Sequence, residues 1–152
     1  MAALRHAVKS VRIAVEEWGF DYLKLDFLHS PLVAPADRHD KTRTRAQVFA
    51  AFMDGVREAA GRSTFILGCG LPMGPGLGTV NAARVSADAG PSWGPNLNDK
   101  HNIPGARNMV RNTVTRLPLH RRAWLNDPDC LILREGTALG LDEVRAIATV
   151  VG

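Results

Sequence analysis

Apolar residues recur at helical spacing near the start of the chain. Leu4, Val8, Val11 and Val15 fall on one side, with Arg5, Lys9 and Arg12 elsewhere. The pattern predicts an amphipathic helix over residues 3–17, stopped by Gly19. "FDYLKLDFL" then predicts a buried strand, and a polar, proline-containing loop follows through residue 43. "TRAQVFAAFMDGVREAAG" predicts a second helix, with Thr44 as its cap and Gly61 as its stop. "TFILGCG" reads as a second strand, and the glycine-rich "LPMGPGLGTVNA" leads to a third, "ARVSAD". "IPGARNMVRNTVTRL" predicts a third helix with Pro104 in its first turn. "RAWLND" gives a fourth strand and "LDEVRAIATVV" a fourth helix.

Helices and strands therefore alternate as α-β-α-β-β-α-β-α, with the glycine-rich loop standing where one helix would be. The strands are apolar runs of the kind parallel strands show when both faces are covered. That is the α/β class. Four parallel strands make either a small open sheet or an arc of a barrel. The acids favour the arc: Asp26, Asp88 and Asp127 are expected at the C-terminal ends of strands, where (β/α) barrels carry their chemistry. Lys24 has the same strand parity as Asp26, so both side chains share a face.

Composition changes this picture little. The chain has 152 residues, 45% hydrophobic and 22% charged, which suits one globular domain spanning 1–152. No apolar run approaches the roughly 20 residues of a membrane-spanning helix. The N-terminus has neither the apolar centre nor the cleavage site of a signal peptide. The net charge of +4 does not point to nucleic acid, because basic residues are spread along the chain and "DRHDKTRTR" mixes both signs, as a solvated loop does. Neither nucleic acid nor membrane is an expected partner. Two cysteines, Cys69 and Cys130, make no disulfide framework, so a reducing, cytoplasmic compartment is expected.

Two motifs lead nowhere. "GCGLPMGPGLG" lacks the G-x-G-x-x-G spacing of a dinucleotide loop, with Met73 at the third glycine position, and Pro72 and Pro75 argue against a helix after it. The five histidines, His6, His29, His39, His101 and His120, have no metal-ligand spacing.

The chemistry rests on the acids. Two carboxylates facing one sugar are what retaining glycoside hydrolysis requires, at a separation of roughly 5–5.5 Å. The attacking carboxylate reacts as the anion, and a cation beside it favours that form. Spacing alone leaves a second reading open, in which these acids cap loops and helices. Arg84 could bind hydroxyls or form a structural ion pair. Trp93 could stack on a sugar or fill the mouth of a barrel, and Cys69 could line a pocket or be an inert buried thiol. Trp18 and Trp124, which flank strands, are expected in the core.

"YLKLD" and "RVSADAGPSW" together resemble the catalytic motifs of the α-galactosidase (melibiase) group, the glycoside hydrolase clan of families 27 and 36. The resemblance runs from about residue 3 to the end. It implies that Asp26 of the Lys-x-Asp strand end is the nucleophile and that Asp88 of the Arg-x-x-x-Asp segment is the acid/base. It implies further that Lys24, Cys69, Arg84, Trp93 and Asp127 are substrate-binding. "WLNDPDCLILR" resembles the clan's Asn-Asp-Pro-Asp segment, at Asn126, Asp127, Pro128 and Asp129, and "LGCG" its cysteine-bearing turn. Clan members are (β/α)₈ TIM barrels, of which this chain would supply strands four to seven. The other barrel strands would lie before Met1 and after Gly152, so the resemblance implies a fragment. The implied substrate is an α-galactoside or related oligosaccharide, with no metal or organic cofactor. The same mechanism on another sugar, such as an α-N-acetylgalactosaminide or β-L-arabinopyranoside, or galactosyl transfer, stays open, as does a non-catalytic α/β module. An open barrel arc also exposes edges and inner residues such as Leu25, Ile66 and Leu125, so self-association or poor solubility is expected. The resemblance places hydroxyl-binding acids on the absent first strands, so little or no activity is expected of the chain alone.

Overall fold

The computed structural model describes residues 2–33, 40–94 and 104–151. Its elements are α1 (Ala2–Glu16), β1 (Tyr22–Leu25), α2 (Ser30–Val33), α3 (Arg45–Ala60), β2 (Phe65–Gly68), α4 (Met73–Gly76), β3 (Ala82–Arg84), α5 (Ala106–Thr115), β4 (Leu125–Asp127) and α6 (Leu141–Val151). A 3₁₀ turn at Leu117–Leu119 follows α5. The strands form one sheet in the order β1-β2-β3-β4. Sequential, parallel neighbours joined by helices are the signature of a barrel wall.

The chain divides into two compact units, residues 1–83 and 84–152. In the first, α3 is the best specified element. Thr44 and Gln47 form a reciprocal capping box, and Gly61 ends the helix at φ 72°. Phe49, Met53, Val56 and Ala60 make its buried stripe. α1 packs against α3, closely enough that a Cβ on Gly55 would lie 3.2 Å from Val8 Cγ2. β1 and β2 pair in register from Tyr22↔Phe65 to Leu25↔Gly68, and β2 pairs with β3 at Leu67↔Ala82 and Gly68↔Ala83. Arg57 ties the helix to the sheet. Its guanidinium donates to the carbonyls of Gly61, Thr64 and Thr79 and to Asn81 Oδ1, which also accepts the Ile66 amide. Burial lowers the Arg57 pKa from its ordinary value.

In the second unit α5 and α6 pack together around Ala106, Met109 and Ile147. Trp124 is buried at the entry to β4. The Asn126 amide proton goes to His120 Nδ1, and the Asn126 side chain donates to the Arg116 carbonyl.

Several expectations need correction. Ile66 is 0% exposed, because the face of β2 that carries it is covered, while Leu25 is half-buried and Leu125 exposed. Trp18 is 68% exposed rather than core, meeting Phe20 edge-on. Pro104 lies just before α5, whose cap is Gly105. The glycine-rich loop does contain one helical turn, α4. Pro72 caps it and Pro75 sits in its first turn, where the missing N–H has no helical acceptor to lose. β3 ends at Arg84, so Asp88 lies four residues beyond the strand rather than closing it.

Candidate active site

Within the first unit, Asp26 follows the last residue of β1 directly and is exposed. Alternation puts Tyr22, Lys24 and Asp26 on one side of the strand. Lys24 Nζ lies 3.9 Å from Asp26 Oδ2. The other oxygen, Oδ1, accepts the Phe27 amide at 2.7 Å, and Phe27 adopts φ 54°. A bulky residue in the left-handed region is unusual and marks a sharply turned strand end.

The neighbouring strand end is tied to this one. The Cys69 amide donates to Leu25 O at 2.7 Å, and the Leu28 amide donates to Cys69 O at 3.1 Å. Cys69 is itself buried beside Leu67 and Ala82. Gly70 turns the chain at φ 63°, and a Cβ there would lie 2.5 Å from His29 Nδ1, so only glycine fits without displacing the imidazole.

In the second unit Arg84 ends β3 with its side chain only 9% exposed. Its fork serves three carboxylates. Nε meets Asp127 Oδ2 at 2.8 Å, while Nη1 meets Asp129 Oδ2 at 2.8 Å and Asp88 Oδ1 at 3.2 Å. The side chains of Asp127 and Asp129 are 22% and 18% exposed, against 77% for Asp88. The fork geometry of guanidinium suits this arrangement, in which a lysine would offer one point charge. Trp93 is half-buried against the Ala106–Met109–Ile147 cluster.

Each unit thus brings some of the expected residues together. Lys24 and Asp26 form one pair, and Arg84, Asp88 and Asp127 form one cluster with Asp129. Cys69 is covered and Trp93 has one side on the core. Asp129 enters from the sequence only as the last residue of the Asn-Asp-Pro-Asp segment, with no role of its own. The signal for more was the Asp-Pro-Asp spacing, since Asp127 Oδ1 accepts the Asp129 amide at 2.9 Å in an Asx-type turn. Among the described residues, no group of three or more His, Cys, Asp and Glu side chains could hold a metal ion. His39 and His101 lie outside the described residues. No helix among the described residues is long and apolar enough to cross a membrane.

A parallel sheet with acids at and just beyond its strand ends defines the class: the chain is a partial (β/α) barrel. No family model matches it. Solved structures make the likeness particular. TtGalA, an alpha-galactosidase from Thermus thermophilus in complex with stachyose, is 32% identical at TM-score 0.79, over 96% of this chain and 31% of that one. Its complex with p-nitrophenyl alpha-D-galactopyranoside also gives 32% and 0.79, over 95% and 29%. Alpha-galactosidase I from Mortierella vinacea, at 17% identity and TM-score 0.63 over 91% and 36%, shares the fold. These neighbours are alpha-galactosidases, and this chain spans 29–36% of their length.

Proposed function

We propose that this chain is part of a retaining glycoside hydrolase that releases terminal α-galactose. The observation that carries the reading is the pairing of Lys24 with Asp26 at a strand end, in a chain 32% identical to an alpha-galactosidase. Asp26 attacks the anomeric carbon while Asp88 protonates the departing oxygen. A glycosyl-enzyme ester forms on Asp26, and water deprotonated by Asp88 then releases the sugar with its α configuration retained. In this reading Lys24 donates to sugar hydroxyls and Trp93 contacts the sugar, while Arg84, Asp127 and Cys69, which are largely covered, shape the site around it. The reaction takes place in the cytoplasm and uses an α-galactoside as its one substrate besides water.

An activated fluorogalactoside that stalls the second step tests the assignment. Mass spectrometry of the digested protein should find the sugar on the peptide carrying Asp26. An adduct on the Asp88 peptide would reverse the two roles. No adduct at all, with the protein incorporated into a complete barrel, would end the reading.

A further inference from the structure

Asp88 is 77% exposed and lies in a loop beyond β3. A proton donor must sit within about 0.5 Å of its productive place, so something has to hold that loop.

We propose that Asp129 is a positioning residue that fixes the Asp88 segment, an inference that rests on the acid/base role given to Asp88 above. One oxygen, Asp129 Oδ2, accepts the amide of Ala89 at 2.8 Å and also faces Arg84 Nη1 at 2.8 Å. The same Nη1 reaches Asp88 Oδ1 at 3.2 Å. Asp129 therefore holds Asp88 twice, through the backbone of the next residue and through the cation that touches the Asp88 carboxylate. Asp129 is in turn fixed to the end of β4. Its amide donates to Asp127 Oδ1 at 2.9 Å, and it stands at φ 82°, a conformation that costs energy for a residue with a Cβ. The far side of the loop is tied independently. Gly105 donates its amide to Asp88 O at 3.1 Å, and a Cβ on Gly90 would lie 3.1 Å from Gly105 Cα. The backbone around Asp88 is pinned on both sides, and its carboxylate is left open to solvent.

Two variants separate the parts of this clamp. Asp129→Asn keeps an oxygen for the Ala89 amide and loses the charge that faces Arg84; Asp129→Ala loses both. Hydrogen exchange at the Ala89 amide should quicken by about 10-fold or more in Asp129→Ala and by less in Asp129→Asn. Catalysis gives a readout that general damage would not mimic. With a sugar leaving group, which needs protonation, kcat/KM should fall about 100-fold in Asp129→Ala, within the range of general acid catalysis. With a dinitrophenyl α-galactoside, which needs none, it should stay within about threefold. Asp129→Asn should fall between, and Asp88→Ala should show the same selectivity as Asp129→Ala. Equal losses on both substrates, or unchanged exchange at Ala89, would overturn the proposal. The galactoside assays use the chain incorporated into a complete barrel, and a parent protein inert to both galactosides in that form would instead refute the glycosidase reading. The clamp would then be decided by Ala89 alone, upheld by faster exchange and overturned by unchanged exchange.

Discussion

Removing the Arg84 guanidinium while keeping much of its stem, as in Arg84→Met, should destabilise the second unit by about 3 kcal/mol. The figure follows from what is left behind. Asp127 and Asp129, 22% and 18% exposed, lose the cation between them. An uncompensated buried charge costs roughly 3–5 kcal/mol. The low end applies because both carboxylates keep some water and each keeps a backbone donor, Asp129 the Ala89 amide and Asp127 that of Asp129. Much of the loss should disappear when the partner charge goes too. In a double-mutant cycle, Asp129→Asn should restore about 1–2 kcal/mol to Arg84→Met, the coupling expected of directly bonded groups. Urea unfolding followed by tryptophan fluorescence suits the measurement, because buried Trp124 and half-buried Trp93 both lie in this unit. A loss under about 1 kcal/mol, or a coupling indistinguishable from zero, would refute the argument. Arg84 would then be an ordinary surface-type pair despite its burial.

Four further outcomes are expected. Arg57→Lys should cost about 1–3 kcal/mol, since one ammonium cannot reach all four acceptors of the guanidinium. The burial that lowers the Arg57 pKa would also lower that of a lysine; the unfolded chain then holds its proton to higher pH than the folded one, so the variant's stability relative to the parent's should rise towards pH 10. Thr44→Ala removes the capping box of α3 and should cost about 1 kcal/mol in chemical denaturation. Gly70→Ala should cost about 1–2 kcal/mol from its left-handed backbone alone; any excess should vanish in a His29→Ala background, and an excess that persists would show that the imidazole is not the obstacle. On a sizing column the chain should self-associate through the edge of β1, flanked by exposed Trp18, Phe20, Tyr22 and Phe27; Tyr22→Lys should reduce this, and a monomer at all concentrations would contradict it.

The helices were legible because each carries a stripe and a stop. α3 shows this best, running from its Thr44 cap to Gly61 as the pattern predicts. Strand limits were less legible, because an apolar run says nothing of where its partner ends. "ARVSAD" reads as strand through Asp88, yet β2 offers β3 partners only at Leu67 and Gly68 before Gly70 turns away. Exposure was misjudged for a related reason. Trp18 looks like core by residue type, but it stands past the last helical turn of α1, and its neighbour Phe20 is exposed as well.

At the candidate site, local relations could be read and distant ones could not. Lys24 and Asp26 share a face by parity alone, and the structure puts them 3.9 Å apart. The contacts of Arg84 with Asp127 and Asp129 depend on β3 lying beside β4, which no local pattern specifies. Four aspartates of similar appearance in sequence also divide by environment. Asp127 and Asp129 are largely covered and hold a cation and backbone amides, whereas Asp26 and Asp88 are open to solvent. A carboxylate that must meet a sugar has to be reachable, and one that supports it has to keep its partners. On that physical ground Asp26 and Asp88 are the candidates for chemistry, and Asp129 is a support whose loss should be felt through Asp88.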